Sequence, residues 1–314
     1  MLFFYICKSI SFFTLMKAKN LSYLFSALTI FFWGTAATAF KFTLEHFSFI
    51  QLLAWSSLFS TILLFVIILF GGKLHQIKNL TRTQLAPSLY LGLLNPFGYY
   101  FVLLRAYELL PAQVAQPLNF IWPLMLVLLS VPILGEKITA KGIIALGVSF
   151  IGVILISSGG DIANFKIDSP LGVGLALLSS VFWALYWILN LKKPIDPVIR
   201  LFFNFLFATF FSFAAGCFFE NFWDINMGGI LGSIYVGSFE MGITFVLWLK
   251  ALSIAKNKAK LSNIIYLVPF VSLIFIHFLV GEQIYWTTIA GLIIIVTSIL
   301  FQQLTDKHQQ PNNQ

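Results

Sequence analysis

Charged side chains are scarce in this sequence of 314 residues. Asp, Glu, Lys and Arg together make up 10% of the chain, whereas a typical soluble domain carries about 25%. Hydrophobic residues make up 59%, and the mean hydropathy is +0.93. So little charge cannot cover the surface of a water-soluble globule of this size, which excludes a soluble fold. The composition predicts an integral membrane protein.

The sequence also lacks the common catalytic and nucleotide-binding motifs. It contains no GxxxxGK[ST] sequence, so ATP does not power the protein directly, and it has no HExxH, GxSxG or aspartate-rich metal motif. Its two cysteines, Cys7 and Cys217, have no metal-ligand or CxxC spacing. We therefore expect no enzyme activity, no catalytic residue, no metal and no cofactor. A membrane-embedded enzyme, a channel and a receptor remain the alternative classes.

Apolar runs of about 20 residues recur along nearly the whole chain, which is the pattern of membrane helices. Only helices and closed barrels satisfy backbone hydrogen bonds in lipid, and the alternating segments of about 10 residues that build a barrel are not seen. The predicted fold class is an all-α polytopic membrane protein with ten transmembrane helices in the lipid bilayer. The predicted spans are Leu21–Phe42, Phe49–Phe70, Leu85–Leu104, Ala112–Leu134, Thr139–Ser158, Pro170–Asn190, Val198–Phe219, Met227–Leu249, Lys260–Val280 and Tyr285–Gln302.

Basic residues lie in short clusters between these spans. With the N-terminus inside the cell, 16 of the 19 Lys and Arg residues fall in cytoplasmic segments, and 3 (Lys41, Arg105 and Lys166) fall outside. The positive-inside rule then predicts that both termini are cytoplasmic and that the protein is a multi-pass protein of the inner membrane. This pattern also accounts for the net charge of +8, so we expect no nucleic-acid partner.

The two halves of the chain resemble each other. Three pairs of short motifs recur in the same order, with nearly constant offsets of 145 to 150 residues: Phe32-Trp33 with Phe182-Trp183, Gly92 with Gly237, and Gly135-Glu136 with Gly281-Glu282. Each half holds five predicted spans, and an odd number of crossings turns the second copy upside down relative to the first. Inverted repeats of this kind are typical of secondary transporters, which alternate access around a midplane site.

This repeat defines the predicted domain layout. We expect an N-terminal extension over residues 1–20, a first repeat with spans 1 to 5 over 21–158, a second repeat with spans 6 to 10 over 159–304, and a cytoplasmic tail over 305–314. The first fifteen residues are too short to cross a membrane and precede Met16-Lys-Ala-Lys. We interpret them as a start-codon extension or a loose interfacial segment.

Ten spans in two five-helix halves, each with a Pro-containing helix, an apolar run and Gly-Glu, resemble the drug/metabolite transporter superfamily, specifically its EamA-type bacterial exporters. The matching segments begin at LLRAYELLPAQ in the first half and FVLWLKALSIA in the second. The run Asn119-Phe-Ile-Trp-Pro123 is also similar to an NYLWP-like run of aromatic amino-acid exporters. The resemblance implies a secondary transporter that exports small polar metabolites, with amino acids favoured and nucleotide-like or other cationic metabolites as the alternative.

Polar and aromatic residues inside the spans are the candidates for binding a small-molecule substrate. Polar side chains in a membrane helix face the bundle or a wet cavity, although amides also act as glue between helices. Trp33 and Trp183 lie too deep for interfacial belts and either line the pathway or pack in the core. The predicted substrate-binding residues are Trp33, Asn95, Gln116, Asn119, Trp122, Trp183, Glu240, Asn263 and Tyr266.

Glu240 is the one acidic residue near the centre of a predicted span. A carboxylate there costs about 2.5–3.5 kcal/mol on insertion scales, so another interaction should offset it. Three roles remain open: a coupling proton, an ion pair with a substrate ammonium, or a neutral side chain packed against another helix and bonded to its repeat mate Asn95. The sequence likewise leaves monomer and homodimer open.

Overall fold

The computed structural model describes residues 18–135, 140–162, 167, 169–190, 195–255 and 258–307. The described chain is all-helical. Most of the predicted N-terminal extension and of the C-terminal tail lies outside these residues, as does Glu136.

We label the long helical segments α1 to α10 in chain order. A separate short helix, Leu74–Lys78, joins α2 to α3. The segments are α1 (Ala18–Leu44), α2 (Phe49–Phe70), α3 (Arg82–Gly92, Leu93–Gly98 and Tyr99–Leu109), α4 (Ala112–Asn119 and Trp122–Leu134), α5 (Ala140–Ser157), α6 (Pro170–Asn190), α7 (Pro197–Gly216), α8 (Met227–Tyr235, Val236–Ile243 and Thr244–Ile254), α9 (Lys258–Asn263, Ile264–Leu267, Val268–Phe275 and Ile276–Val280) and α10 (Trp286–Lys307).

Among the described residues, seven helices are long and apolar enough to cross a membrane: those in α1, α2, α4, α6, α7, α8 and α9. Shorter apolar helices lie in α5 and α10, over Gly142–Ser157 and Trp286–Gln302. The prediction of a polytopic helical membrane protein is therefore confirmed. The count of ten crossings stays a prediction, because α3 is less apolar and is interrupted at Asn95.

Local sequence explains where several helices begin and end. Ser48 accepts a hydrogen bond from the backbone of Gln51, whose side chain bonds back to Ser48, so α2 starts with a capping box. Asp196 is the N-cap of α7, and its side chain accepts from the N–H groups of Val198 and Ile199. Gly135 ends α4 with a φ of 72°, a left-handed conformation that glycine adopts at little cost.

Helices of the first half pack mainly on helices of the second. α2 packs against α7 and α5 against α10; α1 packs against α8 and α9, while α6 packs against α3 and α4. α2 also contacts α8, as α7 contacts α3. Exchanging each helix with the one five places later leaves this contact pattern unchanged.

Individual contacts obey the same exchange. A Cβ on Gly92 would lie 2.6 Å from the carbonyl oxygen of Asn204, and a Cβ on Gly237 would lie 2.4 Å from that of Ser56. These are counterparts, because Gly92 matches Gly237 and the capping residues of α2 and α7 align Ser56 with Asn204. Both glycines therefore permit a close approach between α3 and α7 or between α8 and α2.

Two pairs of matched residues contact each other where the halves meet. The hydroxyls of Thr61 and Thr209 lie 3.0 Å apart, and both threonines are thirteen residues beyond the N-cap of their helix. The rings of Trp33 and Trp183 meet edge to face, with centroids 6.5 Å apart. Contacts between equivalent residues are what a two-fold relation between the halves produces along its axis.

Candidate substrate cavity

A cavity of about 520 Å³ lies among α1, α3, α4, α6, α8, α9 and α10. A volume of this size is typical of small-molecule sites, which are mostly apolar with few polar groups. Seven of the nine predicted binding residues line it: Trp33, Gln116, Asn119, Trp122, Trp183, Glu240 and Tyr266.

Irregular helix turns place the polar groups around this cavity. α3 is broken at Asn95, whose φ of −153° and ψ of 118° are not helical and which precedes Pro96. The residue before a proline disfavours helical backbone geometry. α8 carries a π-helical stretch over Val236–Ile243 at the matching position, and Glu240 lies within it. π-helical turns often occur at functional sites.

Glu240 is buried, and its two carboxyl oxygens differ in their surroundings. Tyr100 donates a hydrogen bond to Oε1 at 2.9 Å. Oε2 has no hydrogen-bond partner among the described residues, and neither has the Nδ2 group of Asn95. The predicted bond between Glu240 and Asn95 is not observed. Glu240 lines the cavity, and its unpartnered Oε2 is itself buried.

α4 is divided at Phe120 and Ile121, between its two α-helical parts, and Asn119 closes the first part. The Nδ2 group of Asn119 donates to the hydroxyl of Tyr99 at 3.0 Å, and its Oδ1 accepts from the hydroxyl of Ser179 at 2.8 Å. Gln116 accepts a hydrogen bond from the Tyr107 hydroxyl. Both predicted amides thus bridge helices and face the cavity at once, so glue and lining are not exclusive roles.

Two predicted residues do not line the cavity. Asn95 is 3% exposed and lies in the break of α3, four residues before the lining residue Tyr99. Asn263 is half-buried at the end of Lys258–Asn263, the first helical part of α9. Its neighbours Ser262 and Ile265 do line the cavity.

Several aromatic residues that line the cavity are not among the predicted set. Tyr99, Trp187 and Trp248 line the cavity, and Tyr99 packs on Trp183 with ring centroids 4.8 Å apart. Trp187 lies four residues after Trp183 and therefore on the same face of α6, so the sequence spacing could have indicated it as a lining residue. Trp248 has no aromatic counterpart in the first half, so the repeat gives no indication of it.

One end of the bundle, which we call the closed end, is linked by polar contacts between the halves. The carboxylate of Glu282 accepts from the N–H groups of Ala112 and Gln113 at 2.7 and 3.1 Å, so the loop before α10 caps the start of α4. Glu282 therefore anchors this loop to the start of α4. The Gln113 side chain also bonds to Gln283 and Tyr285.

The cavity extends away from the closed end. Its lining includes Leu134 and Ile188, near the ends of α4 and α6, and Leu252 near the end of α8. Gln302 of α10 lies at the same end, which we call the cavity end. Among the described residues, no three His, Cys, Asp or Glu side chains lie close enough together to hold a metal ion.

A helical membrane bundle whose halves surround a central cavity is the architecture of a carrier for small molecules. Residues 20–158 and 170–302 each match the EamA-like transporter family. The chain therefore belongs to this family, and it is a multi-pass membrane transporter.

Named relatives agree with this assignment. The uncharacterized transporter YyaM of Bacillus subtilis is 25% identical over 295 residues, covering 91% of this chain and 94% of that protein. An uncharacterized transporter of Archaeoglobus fulgidus is 25% identical over 270 residues, covering 84% of this chain and 92% of that protein. These names state transport without a substrate, so the likeness to aromatic amino-acid exporters stays a prediction.

A solved structure shares the fold. A protein crystal structure that is 19% identical superimposes with a TM-score of 0.63, covering 93% of this chain and 100% of that one. At this level of sequence identity, the similarity establishes only that the two proteins share a fold.

Proposed function

We propose that this transporter is a secondary exporter of small metabolites that carry an amino group, working by alternating access across the inner membrane. The observation that carries the proposal is Glu240, a buried carboxylate of the cavity lining whose Oε2 has no hydrogen-bond partner among the described residues. Amino acids and simple amines both bear a group that this carboxylate would bind. A substrate ammonium would supply the opposite charge that a carboxylate inside a membrane protein needs.

Inverted repeats support the alternating-access part of the proposal. The contact pattern is unchanged when the halves are exchanged, and the matched contacts of Gly92 and Gly237 follow the same rule. Five crossings in each half would set the two-fold axis in the membrane plane. Such an axis makes the two ends of the bundle equivalent by exchange of the halves, so contacts that close one end have counterparts that close the other.

The positive-inside bias supports the orientation. With both termini cytoplasmic, the closed end containing Glu282 faces outward, and the cavity end containing Leu134 and Gln302 faces the cytoplasm. The structure then corresponds to an inward-facing state, in which a cytoplasmic substrate reaches Glu240 from inside. Export follows when the closed end opens and the cavity end closes.

Proton coupling follows if proton and substrate compete for Glu240. A carboxyl that binds a proton from outside and releases it when the ammonium binds from inside exchanges one cation for the other. Because a bare carboxylate is costly inside the membrane, the site would cross with one cation bound and would rarely cross empty. That restriction is what ties the two fluxes together.

Purified protein in liposomes tests the proposal. A carrier accelerates exchange of labelled substrate, whereas a channel does not and an enzyme converts the substrate. We expect Glu240→Gln, which keeps the shape and removes the charge, to abolish uphill transport driven by a pH gradient. Exchange should persist with a raised KM, because the aromatic walls remain.

Glu220→Gln is the matched control, since Glu220 is exposed in the loop between α7 and α8. It should transport like the unaltered protein. A Glu240→Gln protein that still drives uphill transport at the unaltered rate would contradict the assignment of Glu240.

A further inference from the structure

Tryptophan dominates the wall of the cavity. Five of the eight tryptophans in the chain line it: Trp33, Trp122, Trp183, Trp187 and Trp248. Trp183 is central, with ring centroids 6.3 to 6.5 Å from those of Trp33, Trp122 and Trp187. The rings meet at steep angles, so several present a face or an edge to the same space. The faces of aromatic rings attract cations, and tryptophan attracts them most strongly.

Charge in the cavity has one sign. Among the described residues that line it, Glu240 is the one acidic side chain, and there is no Lys, Arg or His. Lys41 lies in the last turn of α1. Its ammonium donates to the carbonyl oxygens of Tyr107 and Leu110 at 2.9 and 3.0 Å. Lys41 is therefore committed to the closed end and does not line the cavity.

This arrangement disfavours a substrate carboxylate. A carboxylate brought beside Glu240 would meet a like charge and would be desolvated with no cation to pair with it. The indole Nε1 groups of Trp183 and Trp187 are buried without a partner. Buried and neutral, they do not balance a full negative charge in the cavity.

We propose that the cavity selects an aromatic or alkyl amine cation that lacks a carboxylate. The ammonium pairs with the Glu240 carboxylate and lies against the indole faces. This inference rests on the proposed function for the direction of transport, and on the cavity alone for the ligand.

Three matched compounds test the charge requirement by calorimetric binding to purified protein in a neutral maltoside detergent. Tyramine carries the ammonium and a phenol, tyrosine adds the carboxylate, and 4-ethylphenol lacks the ammonium. We expect tyramine to bind at least about tenfold more tightly than either of the others. Tyrosine binding as tightly as tyramine would overturn the exclusion of a carboxylate, and 4-ethylphenol binding as tightly would overturn the cation requirement.

Two substitutions with matched controls locate the site. Glu240→Gln and Trp33→Leu should each weaken tyramine binding at least about tenfold. Glu220→Gln and Trp55→Leu should not, since neither residue lines the cavity. Equal losses in the control variants would overturn the location. The unaltered protein already tests the ligand class, so a variant that fails to fold does not remove the test.

Binding and transport separate this inference from the proposed function. Selective tyramine binding without exchange in liposomes would support the ligand class and contradict the exporter. Exchange of a labelled amino acid by a protein that does not bind tyramine would do the reverse.

Discussion

Asn119 shows how a single residue holds the cavity wall together. Its amide joins Tyr99 of α3 to Ser179 of α6, and all three side chains are buried. Asn119→Leu would leave the buried Tyr99 hydroxyl without this donor, whereas the Ser179 hydroxyl keeps its bond to the carbonyl oxygen of Ala176. We expect the free energy of unfolding in detergent to fall by about 1–3 kcal/mol.

Ser180→Ala is the control for that substitution. The Ser180 hydroxyl bonds only to the carbonyl oxygen of Leu177 in its own helix, and such local bonds contribute little. A loss in Asn119→Leu no larger than the loss in Ser180→Ala would mean that the bridge does not stabilise the wall.

A second residue-scale prediction concerns Asp196, outside the membrane spans. Burial raises the pKa of Asp196, but the hydrogen bond from Lys73 at 2.6 Å and the N–H groups of Ile199 and Val198 outweigh burial and hold the pKa below its ordinary value. A lowered native pKa stabilises the fold above the unfolded pKa of about 4, and this contribution disappears as the pH falls through the native value. Both side chains are partly exposed, so solvent screening limits the contribution to about 1 kcal/mol or less.

Asp196→Asn keeps the N-cap and removes the charge. We expect the variant to unfold at a lower temperature than the unaltered protein at pH 7, with the difference disappearing as the pH falls through the lowered native pKa of Asp196. Thermal unfolding in detergent across this range measures it. A difference that grows as the pH falls would reverse the sign that the ion pair requires.

At the scale of helices, the close approaches of α3 to α7 and of α8 to α2 depend on glycine. A Cβ at Gly92 or Gly237 would lie within 2.6 Å of a backbone oxygen, so the helices must separate to admit it. We expect Gly92→Ala and Gly237→Ala each to lower the free energy of unfolding by about 1–3 kcal/mol. Gly147→Ala in α5 is the control, because a Cβ there meets nothing within 4 Å and alanine favours helix by up to about 1 kcal/mol.

Helix ends were largely predictable because the transition from apolar to polar sequence coincides with them. The spans Phe49–Phe70 and Pro170–Asn190 match the structure residue for residue. α3 begins at Arg82 and ends at Leu109, three and five residues beyond the predicted span, since polar residues extend a helix out of the apolar region without a hydropathy signal. The amide face of α4 was also predictable from its spacing.

The sequence could not predict which face of each helix points toward the cavity. A helix that is apolar all round gives no indication of which side contacts lipid. For this reason the sequence does not predict Trp248 as a lining residue, and it predicts Asn263, which does not line the cavity. Tyr100 bonds to Glu240 across 140 residues, and no local pattern encodes a contact at that separation. The break at Asn95-Pro96 was predictable from Pro96, but the direction of the Asn95 side chain depends on how α3 packs.

At the scale of the whole molecule, exchanging the two halves relates helix packing, glycine contacts and the contact between Trp33 and Trp183. Ser298 donates to the carbonyl oxygen of Ala145 at 2.6 Å, while Gly152 and Gly291 approach backbone to backbone. An offset of 146, the one that joins Gly135 to Gly281, carries the first contact onto the second. The same correspondence therefore holds at the contact between α5 and α10.

Orientation is the remaining property of the whole molecule, and it decides whether the cavity end faces the cytoplasm. The charge bias of 16 to 3 places the loop after α2 inside and the loop after α7 outside.

In a protein with Cys7→Ser and Cys217→Ser, we expect a membrane-impermeant maleimide to label Glu220→Cys in intact cells. Asn79→Cys should be labelled only after the membrane is permeabilised. Both positions are exposed, so access to the reagent depends on the side of the membrane. Labelling of Asn79→Cys in intact cells would invert the topology, and the same cavity would then take up substrate from outside.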